Sequence, residues 1–345
     1  MNPAPKPVGP VRNRFRFLLP VAGLLVAGVF VLLLLHSVDP VSVGKALAQA
    51  HPSLLALGLL PLALGYGVRI ARWRLLLLPA NPQLRFTDCA VPLLGGFALN
   101  NVLPARAGDV VRVIAFQGRL GTGNAATAGS VVVERILDLL VLVGCLMAGL
   151  ALVPEDGLPH GMRLIGGWVG GGILAGGAMV LLGAGWIRPW LERYSGGGQR
   201  LPQRVAGIAA RVLLGMDLVR DPRRLAAVAA LSLLVWAGEY GLYVCVERSL
   251  ATGAGPAGAL LAMAAGNLAT LIPGTPGHVG TFHYFAAASL TAAGSTKEAA
   301  LACALLAHLG FWGTTSLAGF AALGCAGWKR TTAPSAPTTT PPPPP

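Results

Sequence analysis

Four ionisable side chains stand where chemistry is expensive. Glu134, Arg135 and Asp138 lie near the start of an apolar run over 130–153, and Glu239 lies in the middle of another, in Trp236-Ala237-Gly238-Glu239-Tyr240. A charge inside hydrocarbon needs a partner, a wet cavity or a substrate path. Glu134 and Asp138 are four apart and share a helical face, so Arg135 can serve them only in part. Arginines elsewhere, such as Arg69, Arg72 or Arg106, are the better partners. Two readings stay open for this group: an ion pair that locks one helix against its neighbours, and direct contact with a charged substrate. Glu239 likewise reads either as a proton-coupling or headgroup-binding residue or as a neutral acid hydrogen-bonded between helices.

Two further polar groups surround prolines. Asn100, Asn101, Arg106, Asp109 and Arg112 cluster about Pro104 and Gly108. Amide donors and guanidinium forks suit a phosphate headgroup, although Arg106 and Arg112 could instead sit at the interface beside anionic lipid. Asn267, Thr270, Pro273, Thr275, Pro276, Gly277, His278, Thr281, His283 and Tyr284 form a polar island in an otherwise apolar region. Its histidines could titrate or bind phosphate, but a metal would need further well-placed ligands. The five cysteines are scattered and read as packing residues. Gly121-Thr122-Gly123 opens no dinucleotide site, and no Walker loop, nucleophile elbow or zinc motif occurs. The expectation is therefore a non-enzyme without metal or cofactor, with an intramembrane transferase ranked last because no nucleophile and base are paired.

The elements that must carry these residues follow from composition. Of 345 residues, 54% are hydrophobic and 11% charged, against about a quarter charged in a soluble domain. Several apolar runs approach the roughly 20 residues a helix needs to cross a bilayer. The net charge of +13 is confined to segments between those runs, which fits the positive-inside pattern and argues against a nucleic-acid partner.

The expected fold is all-α: a polytopic transmembrane bundle of about six full spans plus two broken or re-entrant hairpins. Full helices are predicted at 17–35, 54–78, 130–153, 164–187, 225–246 and 299–327, and broken stretches at 86–103 and 259–292. Residues 1–16 form a basic N-terminal segment, 17–328 the membrane domain with a basic cytoplasmic connection at 188–224, and 329–345 a disordered Pro/Thr-rich tail. The first apolar run is too long for a signal peptide and reads as an uncleaved helix. On the outer face this layout puts Lys45, Arg163, Arg248 and Lys297; Arg135 lies within the membrane, and the other 21 of the 26 Lys+Arg fall on the N-terminal side. Both termini are then cytoplasmic, at the plasma membrane of a bacterial cell.

The broken stretches enter from opposite sides in this layout. They also share sequence, Leu103-Pro104-Ala105-Arg106-Ala107-Gly108-Asp109-Val110 aligning without gaps on Ile272-Pro273-Gly274-Thr275-Pro276-Gly277-His278-Val279. Paired broken helices of opposite orientation suggest an inverted repeat around one midplane cavity, the plan of alternating-access transporters.

At these residues the sequence resembles the flippase-like family named for the transmembrane region of lysylphosphatidylglycerol synthase, in its branch of small bacterial and archaeal membrane proteins. The resemblance rests on Arg69-Ile70-Ala71-Arg72-Trp73, on 101–109 with Arg112, on Glu134-Arg135 with Asp138, and on 273–280. It implies two re-entrant elements and movement of a modified phospholipid between leaflets. Synthase members add a soluble aminoacyl-transferase domain for which this sequence has no room, so lipid aminoacylation is not implied. Where such proteins often carry a Gly-Gly pair and a later glutamate, this chain has Gly277-His278 and His283. The expected function is a translocase for an anionic lipid or a glycosylated or isoprenoid one. The alternative is a non-transporting membrane partner that presents or regulates lipid for a separate synthase or glycosyltransferase. The expected substrate-binding residues are Arg69, Arg72, Asn100, Asn101, Arg106, Asp109, Arg112, Glu134, Arg135, Asp138, Glu239, Asn267, Pro273, Thr275, Gly277, His278 and His283.

Overall fold

The computed structural model describes residues 15–103, 106–196, 202–203, 206–207, 221–272 and 276–332. Every extended element among them is an α-helix, and none is a strand. In chain order these are α1 (Phe15–Ser37), α2 (Pro40–Ala48), α3 (Pro52–Leu77), α4 (Phe86–Val102), α5 (Ala107–Ile114), α6 (Gln117–Leu120) and α7 (Asn124–Leu152). After them come α8 (Met162–Ser195), α9 (Pro222–Leu250), α10 (Gly255–Ala269), α11 (Thr281–Ala292) and α12 (Lys297–Thr332).

Four stretches are long and apolar enough to cross a membrane: Pro52–Leu77, Met162–Gly183, Pro222–Leu250 and Lys297–Ala326. A fifth is added if Gly28–Ser37 and Pro40–Ala48, bent by 83°, count as one. The chain is thus a multi-pass membrane protein with four to five candidate spans among the described residues. The span in α8 is only 11% buried, and it turns Leu164, Ile165, Trp168, Val169, Met179 and Leu182 outward. Such a surface is stable in lipid and not in water. Helix α7, counted as a span from sequence, has 29 residues but carries Glu134, Arg135 and Asp138 in its first half.

The bend between α1 and α2 was not expected, and its cause is local. Asp39 stands in an extended conformation, and its carboxylate accepts from the amides of Val41 (3.2 Å) and Ser42 (3.0 Å) and from the Ser42 hydroxyl (2.7 Å). Pro40 follows at the first helical position, where its missing N–H costs nothing.

The expectation that 86–103 is itself interrupted is corrected. Helix α4 runs unbroken from Phe86 to Val102 with Pro92 inside it, and the break comes after it. The residue before a proline is driven out of the α region. Accordingly Leu103, just ahead of Pro104, is extended at φ −90°, ψ 143°. Arg106 then takes a left-handed conformation at φ 53° and α5 begins. The second broken stretch is a pair of packed helices, α10 and α11, separated by a turn in which Gly277, His278 and Gly280 have φ of 70°, 57° and 94°.

Two compact units emerge. The described residues of Met1–Gly65, Ile136–Val180 and Leu233–Gly310 form the first, and those of Tyr66–Arg135, Leu181–Ser232 and Phe311–Pro345 the second. Helices α3, α7, α8, α9 and α12 each supply one stretch to each unit. The first unit contains α10 and α11, where the Phe282 ring packs over Gly266, and α1, whose Phe30 meets Tyr284 and Phe285 at ring distances of 5.1 and 5.6 Å. The second contains the hairpin of α4 and α5.

Candidate functional site

The site in the second unit starts from a glycine. A Cβ on Gly108 would collide with the carbonyl of Gly96 and lie 2.7 Å from the amide nitrogen of Asn100, so α4 and α5 touch backbone to backbone there. That approach sets Asp109 against Asn100. The Asn100 amide donates to Asp109 Oδ1 (3.1 Å), and the Asp109 amide donates back to Asn100 Oδ1 (3.1 Å). Arg135 of α7 then donates to both Asp109 oxygens, at 2.9 and 3.0 Å.

One helical turn beyond Asp109, Arg112 aims its fork at Glu134. Its Nη1 and Nη2 stand 3.3 and 2.6 Å from Oε1 and Oε2, and neither residue has exposed surface. The guanidinium lies 4.1 Å from the ring centre of Trp73, whose indole N–H donates to Ser130 (3.0 Å). Arg72, also fully buried, donates to Ser232 (2.9 Å) and comes within 4.0 Å of Glu134, while Arg135 comes within 3.8 Å. One buried carboxylate therefore gathers three guanidinium groups, those of Arg72 and Arg112 closed to solvent and that of Arg135 partly exposed; charge-assisted contacts there are strong and desolvation is costly. Arg69 lies over the rings of Tyr66 and Phe97. Arg106, half-buried, is the residue before α5 and makes no capping hydrogen bond to it through its side chain.

Asn101 has a separate task. Its amide donates to the Trp312 carbonyl (3.3 Å) and to the hydroxyls of Thr315 (3.1 Å) and Ser316 (2.8 Å), tying the end of α4 to α12. Of the sequence candidates, Arg69, Arg72, Asn100, Asn101, Arg106, Asp109, Arg112, Glu134 and Arg135 fall in this unit. Trp73, Ser130 and Ser232 complete the cluster. Only Trp73 carried a sequence signal, beside Arg72.

Asp138, Glu239, Asn267, Gly277, His278 and His283 fall in the first unit. There Trp236 donates its indole N–H to Asp138 (3.2 Å), and Asn267 donates to Glu239 (2.7 Å) and to the Met263 carbonyl (2.9 Å). Pro273 and Thr275 lie outside the described residues. At aligned positions the two breaks differ in backbone, since Gly108 is helical while Gly277 is left-handed. His308, absent from the sequence candidates, joins His283. Its signal was available as a lone imidazole in an apolar run.

The sequence pattern described as the lysylphosphatidylglycerol synthase TM region matches residues 21–319. The chain belongs to this family. Among curated proteins it is similar to glycosyltransferase AglD of Haloferax volcanii, with 28% identity over 327 residues. The alignment takes in 84% of this chain and 51% of AglD, so the chain spans about half the length of that relative. The family match contains the whole α4–α5 hairpin, the arginine cluster and the turn before α11. Within the region of this lysylphosphatidylglycerol synthase family member that is matched, His278 holds φ 57°, a conformation natural to glycine and strained for histidine.

Proposed function

We propose that this protein is a lipid translocase of the plasma membrane, with an anionic lipid, or a sugar-bearing or isoprenoid one, as its cargo and both termini on the cytoplasmic side. The observation that carries the reading is the buried cluster in which Arg112, Arg72 and Arg135 converge on Glu134 beside a broken hairpin. A phosphate offers the same geometry to a guanidinium fork as a carboxylate does, with an additional oxygen. Glu134 and Asp109 hold the arginines in order while no headgroup is there, and a phosphate headgroup exchanges with them. Arg106, at the break itself, is the first guanidinium such a headgroup meets. The inverted relation of the α4–α5 and α10–α11 hairpins is part of this proposal, because it gives each leaflet its own break. Glu239 and Asp138 balance charge as the hairpins move.

A second reading is favoured by one observation: the curated relative is named a glycosyltransferase, and this chain spans about half of it. In that reading the chain holds a lipid for a glycosyltransferase and moves nothing. Reconstitution separates the two. Purified protein in phosphatidylethanolamine and phosphatidylglycerol vesicles should speed loss of fluorescence when dithionite is added to NBD-labelled phosphatidylglycerol in the inner leaflet. Arg106→Ala should slow the rate roughly tenfold, the equivalent of one lost charge-assisted contact. Wild-type vesicles that behave as protein-free ones, while native mass spectrometry finds bound phosphatidylglycerol, would favour the second reading and overturn the first.

A further inference from the structure

The first unit contains a buried imidazole pair that the reading above leaves unused. His283, in the first turn of α11, folds back on the turn before it, and the Gly280 amide donates to its Nδ1 at 3.3 Å. Its Nε2 lies 3.0 Å from Nδ1 of His308 on α12. His308 in turn hydrogen-bonds the Gly277 backbone. Both residues are buried, at 6% and 8% exposure, and the Phe282 ring covers them at 5.6 and 4.9 Å. The chain of contacts thus leaves the turn at Gly280 and returns to it at Gly277.

The hydrogens in this chain can be placed by elimination. A neutral imidazole has one N–H and one lone pair. A backbone amide can only donate, so Nδ1 of His283 is the lone pair and Nε2 carries the hydrogen. That hydrogen points at Nδ1 of His308, which leaves Nε2 of His308 to donate to the Gly277 carbonyl. One arrangement satisfies all three bonds, and it is uncharged.

We infer that His283 and His308 form a proton-binding latch on the second hairpin, closed when neutral and released by a single proton. No lone pair in the closed chain is free to take that proton. It must land on Nδ1 of one ring, where it meets an N–H already pointing inward, and one of the ties holding the turn breaks. Acid therefore favours the open form, because only the open form binds the extra proton. The ionisable groups acting on the pair are the two rings themselves and His278 on the turn. Helix α10 carries no ionisable side chain, α1 meets α11 through Phe30, against Tyr284 and Phe285, and the group that α12 brings to the pair is His308 itself. That the latch couples proton entry to lipid movement rests on the transport reading; the latch itself does not.

The test uses the full chain in nanodiscs. Hydrogen exchange is followed across 276–284 from about pH 8 to about pH 5, with each rate divided by the intrinsic chemical rate at that pH. The corrected rate should rise on acidification, approaching roughly tenfold per pH unit where protonation limits opening. The double variant His283→Gln/His308→Gln should give a flat profile, since glutamine keeps one donor and one acceptor and takes no proton. A wild-type profile without the rise, or an equal rise in the double variant, overturns the latch. Should the variant fail to fold, 15N-histidine NMR of the wild type decides. Unprotonated Nδ1 and protonated Nε2 on both rings, with uptake of one proton by the pair, are expected; a hydrogen on Nδ1 of His283 or independent titration of both rings refutes it.

Discussion

Replacing Glu134 by glutamine keeps the shape of the side chain and removes its charge. In the native site Oε1 and Oε2 accept from Arg112 at 3.3 and 2.6 Å, with the two side chains 1% and 0% exposed. Glutamine can still accept one of these bonds, but its NH2 group must face a guanidinium N–H across the other. Breaking a buried pair by neutralising one partner costs about 3 to 5 kcal/mol, because the remaining charge stays out of water. The loss for Glu134→Gln should fall in that range. The Arg135–Asp109 pair is more open, with side chains 28% and 16% exposed, so Asp109→Asn should cost about 1 kcal/mol after screening by solvent. The assay is reversible unfolding in mixed lipid and dodecyl sulfate micelles, run as a double-mutant cycle with Arg112→Gln. A coupling of at least about 1.5 kcal/mol between Arg112 and Glu134 is expected. If Glu134→Gln unfolds with the wild type, or the cycle shows no coupling, the cluster is not held by this pair and the account of the site is wrong.

Asn101→Leu should lower stability by about 2 kcal/mol in the same assay, because Thr315 and Ser316 lose their amide donor; an unchanged midpoint would mean that α4 is not anchored through this amide. For Gly108→Ala the added methyl has to push α5 off the Gly96 carbonyl, and a loss of about 1 to 3 kcal/mol is expected. The opposite sign is expected for His278→Gly, where relief of the left-handed conformation should stabilise by about 1 kcal/mol; a lower midpoint would show that the imidazole contributes more than its strain costs.

Much of the helix content was legible because apolar length and proline position are local properties. Leu103 leaves α4 for the same steric reason that made Pro104 a marked break. Asn100 and Asp109, nine apart on either side of that break, were readable as one group together with Arg112. Partner choice was not legible. Arg72 and Ser232 are 160 residues apart, Trp236 and Asp138 are 98 apart, and what joins them is helix packing that no local pattern encodes. Glu134 reads from sequence as a partner of arginines such as Arg69, Arg72 or Arg106; Arg72 does come within 4.0 Å, but the shortest contact is to Arg112. That choice depends on α5 meeting α4 at Gly108, a contact between backbones. The α1–α2 bend was missed although Asp39-Pro40 is a local capping signal, because the apolar run before it dominated.

The backbone contact at Gly108 also bears on how this hairpin can vary over time. Each residue added to or removed from a helix rotates everything beyond it by about 100°. A one-residue deletion between Arg106 and Asp109 would swing the Asp109 carboxylate off Asn100 and carry the Arg112 fork away from Glu134, whatever the amino acids retained. Drift in residue type is therefore survivable at many positions of this segment, but drift in its length is not.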